Sequence, residues 1–263
     1  MLNYPDINPI ALKIGPLAFY WYGIMYLLGF LGAYWLCWRR RLQPATPWKT
    51  DDITDLCFYS ALGVIFGGTL GYLLFYEPHA LLQEPLRVLT FWEPGRSFHG
   101  GLLGVLLAIL FFCRTHHRRF WEVTDFIAPA VPFGLATGRL GNFINAELWG
   151  RVTDKPWGMV FSHAGILPRH PSQLYEFILE GVALLVILQW YSRKRTATGS
   201  VSGLFLIWYG IFRFVVEFFR EPDPDQGFIV FHWVTKGQIL SLPMIIIGLI
   251  IFLIAKRHQA NKG

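Results

Sequence analysis

Charge is scarce in this chain. Only 15% of its 263 residues are Asp, Glu, Lys or Arg, while 54% are hydrophobic and 17% aromatic, and the mean hydropathy is +0.40. That balance excludes an ordinary soluble domain and points to a polytopic membrane protein, for which one membrane domain is enough. Cysteine is scarcer still. Cys37, Cys57 and Cys113 are three in number, so they cannot complete a disulfide framework, and their apolar surroundings make them buried small hydrophobes. The first fifteen residues lack a basic segment followed by an apolar one, so no cleavable signal peptide is expected and the first apolar run directs insertion. Absent too are H-E-x-x-H, G-x-S-x-G and a glycine-rich nucleotide loop, which argues against metal, cofactor or soluble-hydrolase chemistry. The net charge of +6 does not imply nucleic acid, because the basic residues fall in short clusters between apolar runs, as topology determinants do.

What is present is a set of seven apolar stretches near the ~20 residues that a bilayer requires of a helix. They lie near 17–37, 56–76, 97–113, 126–145, 174–191, 201–219 and 238–255, predicting an all-α integral membrane protein with a small outer-face head segment near 146–173. One set of connections carries Arg39, Arg40, Arg41 and Lys49; Arg114, Arg118 and Arg119; Arg193, Lys194 and Arg195; and Lys256, Arg257 and Lys262. The other set carries Lys13; Arg87 and Arg96; Arg151, Lys155 and Arg169; and Arg220 and Lys236. The first set is the more basic and more tightly clustered, so the positive-inside rule puts the C-terminus in the cytoplasm and the N-terminus outside. Glycines at 63, 67, 68 and 71, and at 100, 101 and 104, allow close helix approach and need no further role.

Lysine is missing from all seven stretches, yet arginine is not: Arg139 lies in the fourth and Arg213 in the sixth. Each costs roughly 2.5–3.5 kcal/mol at a helix centre, so each requires compensation. Glu217, four residues after Arg213, offers one source as a plain ion pair. An anionic ligand offers another, because the planar guanidinium fork binds phosphate through two hydrogen bonds and keeps its proton when desolvated. At a rise of ~1.5 Å per residue both arginines stand roughly 18–20 Å from the inner face, with Tyr22 and His99 within about 8 Å of the outer one. All four share the outer layer, where the available phosphate belongs to a phospholipid headgroup. Tyr209, Arg213 and Glu217 recur every four residues, with Arg220 three further on, so one helical face carries a phenol, a guanidinium and a carboxylate and must look inward. Arg139 and Asn142 share a face in G-R-L-G-N-F-I-N, with Glu147 and Gly150 beyond; Pro129 and Pro132 upstream predict a kink or interruption. His99, in S-F-H-G-G-L-L-G, is suited to taking a proton near neutral pH. In L-P-R-H-P-S-Q-L-Y-E, Ser172 is expected to cap the fifth helix and Glu176 to sit favourably in its first turn.

Four motifs, S-F-H-G-G-L-L-G, G-R-L-G-N-F-I-N-A-E-L-W-G-R, L-P-R-H-P-S-Q-L-Y-E and G-L-F-L-I-W-Y-G-I-F-R-F-V-V-E-F-F-R, together resemble the bacterial prolipoprotein diacylglyceryl transferases. The resemblance runs from Trp21 through the seventh stretch. It implies a multi-pass enzyme of the bacterial inner membrane, its active site toward the outer leaflet. Such an enzyme moves the diacylglyceryl group of phosphatidylglycerol onto the lipobox cysteine of a prolipoprotein signal peptide, forming a thioether and releasing glycerol phosphate. On that likeness Arg139, Asn142, Glu147 and Gly150 belong to phosphatidylglycerol binding, and His99, Arg213, Tyr22, Tyr209 and Glu217 to catalysis. The segment Arg151 to Gly165 is shorter than the corresponding loop in some members. A transporter or flippase of an anionic lipid is the alternative, since it would need the same arginines; no internal repeat supports it. An intramembrane protease would need a paired nucleophile that the spans do not contain.

Overall fold

The structure, a computed structural model, describes residues 2–43, 46–90, 97–194, 196–222, 227, 229 and 234–261. Arg96, Arg195 and Lys262, used above for orientation, lie outside the described residues. The chain is mainly helical and forms two compact units, one of residues 1–33 with 125–263 and one of residues 34–124.

In the larger unit the chain opens with β1 (Leu2–Asn3) and an antiparallel hairpin of β2 (Ile10–Ile14) and β3 (Leu17–Tyr20). The hairpin turns at Gly15, whose φ of 58° suits a residue without Cβ. The first expected span therefore starts late: residues 17–20 are a strand, and α1 is Trp21–Arg41. Alternating side chains and a tight turn outcompete the helix there, although the apolar count is the same. In the smaller unit follow α2 (Thr50–Tyr76), α3 (Pro78–Gln83) and α4 (Phe98–Thr115). α2 and α4 cross on their glycines. A Cβ on Gly71 would come within 2.6 Å of the Gly100 Cα, and one on Gly63 within 2.6 Å of the Gly104 carbonyl oxygen, so only bare backbone permits this approach. At the opposite end of the same pair, Asp52 accepts hydrogen bonds from the Arg118 guanidinium at 2.7 Å and the Lys49 amide at 3.1 Å.

α5 (Phe120–Ile127) leads back into the larger unit, and α6 (Val131–Ile144) continues it after an interruption at Ala128–Ala130. The break lies where Pro129 and Pro132 were expected to produce one. β4 (Met159–Val160) pairs in parallel with β1 and fastens the 146–173 segment to the start of the chain. The Tyr4 hydroxyl donates to the Phe143 and Ile144 carbonyls at 2.8 and 2.7 Å, at the end of α6. Next comes one helix in three parts: α7 (Ser172–Glu176), a π-helical stretch Phe177–Ala183 and α8 (Leu184–Tyr191). α9 (Ser200–Val216) and α10 (Lys236–Ala260) complete the fold. They cross closely at Gly203 and Gly248, where a Cβ on either would stand 2.8 Å from the other's carbonyl oxygen.

Among the described residues four helices are long and apolar enough to cross a membrane: Thr50–Tyr76, Phe98–Thr115, Ser172–Tyr191 and Lys236–Ala260; Ser200–Val216 is apolar but shorter.

Candidate active site

The larger unit buries a cluster of three arginines and three glutamates. Glu176 and Glu180 are fully buried, and Glu176 holds Arg139 and Arg213 at once. Its Oε2 lies 3.2 Å from Arg139 Nε and its Oε1 2.6 Å from Arg213 Nη1. Glu180 Oε2 lies 3.3 Å from Arg139 Nη2, and its Oε1 3.8 Å from Arg213 Nη1. Glu217 Oε2 meets Arg213 Nη2 at 2.7 Å, and Arg220 Nη1 stands 3.8 Å from Glu176. The side chains of Arg139 and Arg213 retain 18% and 14% exposure, against 1% for Glu176 and 0% for Glu180.

Local sequence explains how the helices come this close. Gly181 lets the π-helical stretch lie against α6, since a Cβ there would stand 2.7 Å from the Ala136 Cβ. One turn on, Arg139 then reaches Glu176 and Glu180. A π-helical segment in such a place is frequent at functional sites, and here it carries Glu180. From the other side Gly210 and Gly237 admit α10: a Cβ on Gly237 would strike the Glu217 carboxylate at 2.6–2.8 Å. The Glu217 Oε1 also accepts a hydrogen bond from the Thr235 hydroxyl at 2.9 Å, which fixes the carboxylate from below.

Of the residues expected in the site, the structure gathers most around this cluster. Tyr209, one turn before Arg213, feels the charges of Glu180, Arg139, Arg213 and Glu176. Tyr22, at the start of α1, packs on Gly141, where a Cβ would meet its ring at 3.1 Å; its hydroxyl lies 3.2 Å from that of Tyr26. Glu147 and Arg139 are both near enough to act on its phenol. Asn142 is buried and its amide donates to Glu147 Oε1 at 2.7 Å. Gly150 is wedged against His170, whose carbonyl oxygen and Cβ a Gly150 Cβ would meet at 2.6 and 2.7 Å, and it bridges to Arg220 at the end of α9. Its place is to bring the 146–173 segment onto the cluster, where the Arg151 side chain donates to the carbonyls of Arg220 and Glu217 at 2.9 and 3.2 Å. His99 belongs to the smaller unit. It sits exposed in the first turn of α4, which Ser97 caps by accepting from the Gly100 amide at 3.2 Å.

Two expectations change. Ser172 does not cap the fifth helix; it is the first helical residue, and its hydroxyl donates to the Leu148 carbonyl at 2.9 Å. Glu176 is no mere dipole partner but the shared anion of both arginines. Glu176 and Glu180 are the residues that sequence reasoning undervalued. A signal existed, for two carboxylates in an apolar span with no cation on their own helix must find cations on other helices.

Beside the cluster, His170 Nδ1 lies 3.0 Å from the Tyr175 hydroxyl, which accepts from Trp157 Nε1 at 2.8 Å. Burial pushes the His170 imidazole below its usual pKa, Lys155 acts in the same sense and Asp154 opposes both. The side chains of His170, Tyr175 and Trp157, with Ile178, Leu179, Val215, Val216 and Phe219, line a mainly apolar groove of about 330 Å³. Among the described residues no group of His, Cys, Asp and Glu is placed to hold a metal ion.

A guanidinium pair clamped by carboxylates, with side chains less buried than theirs, can receive a phosphate and stabilise charge growing on it. Comparison with known proteins agrees in kind. The family model for prolipoprotein diacylglyceryl transferase matches residues 9–254. The phosphatidylglycerol–prolipoprotein diacylglyceryl transferase of Coxiella burnetii (strain RSA 331 / Henzerling II) is 55% identical over 259 residues, covering 98% of this chain and 99% of that protein. The protein of the same name from Legionella pneumophila subsp. pneumophila strain Philadelphia 1 is 55% identical over 249 residues, 95% of this chain and 97% of its own.

Proposed function

The chain belongs to the prolipoprotein diacylglyceryl transferase family, and from that premise we infer that it transfers the diacylglyceryl group of phosphatidylglycerol to the lipobox cysteine of prolipoproteins. The observation that carries the mechanism is the convergence of Arg139 and Arg213, from separate helices, on one buried carboxylate pair. With their remaining N–H donors these arginines grip the headgroup phosphate. The thiol, with an ordinary pKa near 8.5, must become thiolate before attacking the glycerol carbon that bears the phosphate. The carbon–sulfur bond forms as the carbon–oxygen bond breaks, and the electron pair leaves on the oxygen of glycerol phosphate. The thiol proton goes to the base or onward to the departing phosphate. His99 is that base, exposed on the first turn of its helix. Arg139 and Arg213 stabilise the leaving charge. Tyr22 and Tyr209 position the headgroup, and Asn142, Glu147 and Gly150 shape its seat; Glu217 orients Arg213.

The arrangement in the membrane follows from the same reading: seven spans, N-terminus outside and C-terminus in the cytoplasm of a bacterial inner membrane, with the site toward the outer leaflet. The clustering of Arg39–Arg41 and the Arg193 region on one side supports it. Phosphatidylglycerol and a signal peptide bearing a lipobox cysteine are the partners, and neither nucleic acid nor cofactor is required.

Purified protein in vesicles with phosphatidylglycerol labelled in its diacylglyceryl group and a lipobox peptide tests the assignment. Label bound covalently to the peptide supports the transferase; movement between leaflets without transfer would identify a lipid transporter. Within that assay His99→Gln is expected to lower turnover by about 10²–10⁴ while lipid binding persists, and undiminished turnover removes His99 from the role of base.

A further inference from the structure

We propose that Glu176 and Glu180 make the site favour the singly charged phosphodiester of the substrate over the doubly charged phosphomonoester of the product, so that the leaving group is expelled as it forms. The inference rests on the transferase reading and adds to it a device for product release.

Three guanidiniums, of Arg139, Arg213 and Arg220, face three carboxylates, of Glu176, Glu180 and Glu217, at 2.6–3.8 Å. A site that only had to bind phosphate would leave the cations unmatched. Here each of the three already faces a carboxylate before any ligand arrives. The carboxylates also use particular donors: Nε and Nη2 of Arg139 are engaged, as are Nη1 and Nη2 of Arg213. Arg139 Nη1 and Arg213 Nε are not the atoms that make these contacts. A phosphodiester with two unesterified oxygens and one negative charge can accept from those donors. Transfer changes the ligand at the moment the carbon–oxygen bond breaks: the phosphate gains a third unesterified oxygen, and its second dissociation, near pKa 6, makes it largely a dianion at neutral pH. That second charge finds each guanidinium of the trio already facing a carboxylate. Glu176 and Glu180, fully buried, can neither turn to solvent nor be screened by salt, so the new charge is repelled by neighbours fixed in place.

The test is direct binding, which does not depend on turnover. The full-length protein in detergent is titrated calorimetrically near neutral pH with glycerophosphoglycerol, the diester headgroup, and with glycerol phosphate, the monoester. The unaltered protein is expected to hold the diester about tenfold more tightly than the monoester. In Glu180→Gln, which keeps the shape and an acceptor oxygen but loses the charge, the preference should shrink or reverse through tighter monoester binding. Single-turnover transfer followed by slow product release would accompany it. Equal or tighter binding of the monoester by the unaltered protein overturns the proposal, even should Glu180→Gln fail to fold. So does a Glu180→Gln protein that folds and shows the original preference. If the unaltered protein shows the preference but moves no label to the peptide, the transferase reading fails while the discrimination stands.

Discussion

The two ends of α9 both bury carboxylates, and they do so in opposite ways. At its N-terminus, Asp125 from α5 accepts from the Gly199 amide at 2.6 Å, the Ser202 amide at 2.8 Å and the Ser202 hydroxyl at 2.6 Å. Every one of these donors is neutral and local to the helix end, where the helix dipole also favours an anion. At its C-terminal end, Glu176, Glu180 and Glu217 face guanidiniums, and the Arg139 and Arg213 side chains are less buried than Glu176 and Glu180. The first arrangement is closed: it satisfies one helix terminus. The second is open, since a ligand can compete for donors that the carboxylates only share. A buried carboxylate thus marks a structural cap when its partners are backbone amides, and a candidate reaction centre when they are cations drawn from several helices.

The strongest way to break this contrast is to remove one cation. Arg139→Leu leaves Glu180 without its nearest partner and should destabilise the protein by about 3–5 kcal/mol, measured by denaturant unfolding in detergent. Combining it with Glu180→Leu should restore most of that stability without restoring transfer; recovery of transfer would make the pair merely structural. Arg213→Lys keeps the charge and loses the planar fork, so the transfer rate should fall by roughly 10–100-fold, the worth of a charged hydrogen bond. Full activity there would argue against two-point phosphate holding. At the other end of α9, Asp125→Ala should cost about 1–2 kcal/mol of stability while the transfer rate per folded molecule stays unchanged; a specific rate that fell with it would erase the distinction between the two ends.

The smallest effect concerns His170. Its folded-state pKa is held below the ordinary value, so the unfolded chain binds the proton more readily. The stability it contributes is complete above about pH 6.5, the ordinary histidine value, and is lost as the pH falls from there through the depressed folded value. His170→Gln should flatten unfolding midpoints across that acidic range, and a slope unchanged by the substitution would show that other groups cause it.

Much of this was legible in the residues. The apolar runs around α2, α4, α8 and α10 declare themselves by length, and Pro129 with Pro132 announces the break before α6. Arg139 and Arg213 stand out because a cation in an apolar run demands an explanation. The start of the first helix was misplaced because Leu17–Tyr20 is as apolar as the helix that follows; only pairing with Ile10–Ile14 makes it a strand. Ser172 has a cap's chemistry, yet Leu148 competes for its hydroxyl, a contact 24 residues away that no local pattern reveals.

By itself the sequence determined that this protein is helical, membrane-bound and in need of partners for two arginines in apolar runs, because composition and spacing set the cost of leaving such groups unmatched. Only the tertiary structure decided which anions meet them. Glu176 and Glu180 lie 37 residues or more along the chain from Arg139, and they reach it because Gly181 lets one helix backbone press against Ala136 of another. Distance along the chain carries no charge information; close packing of backbones does.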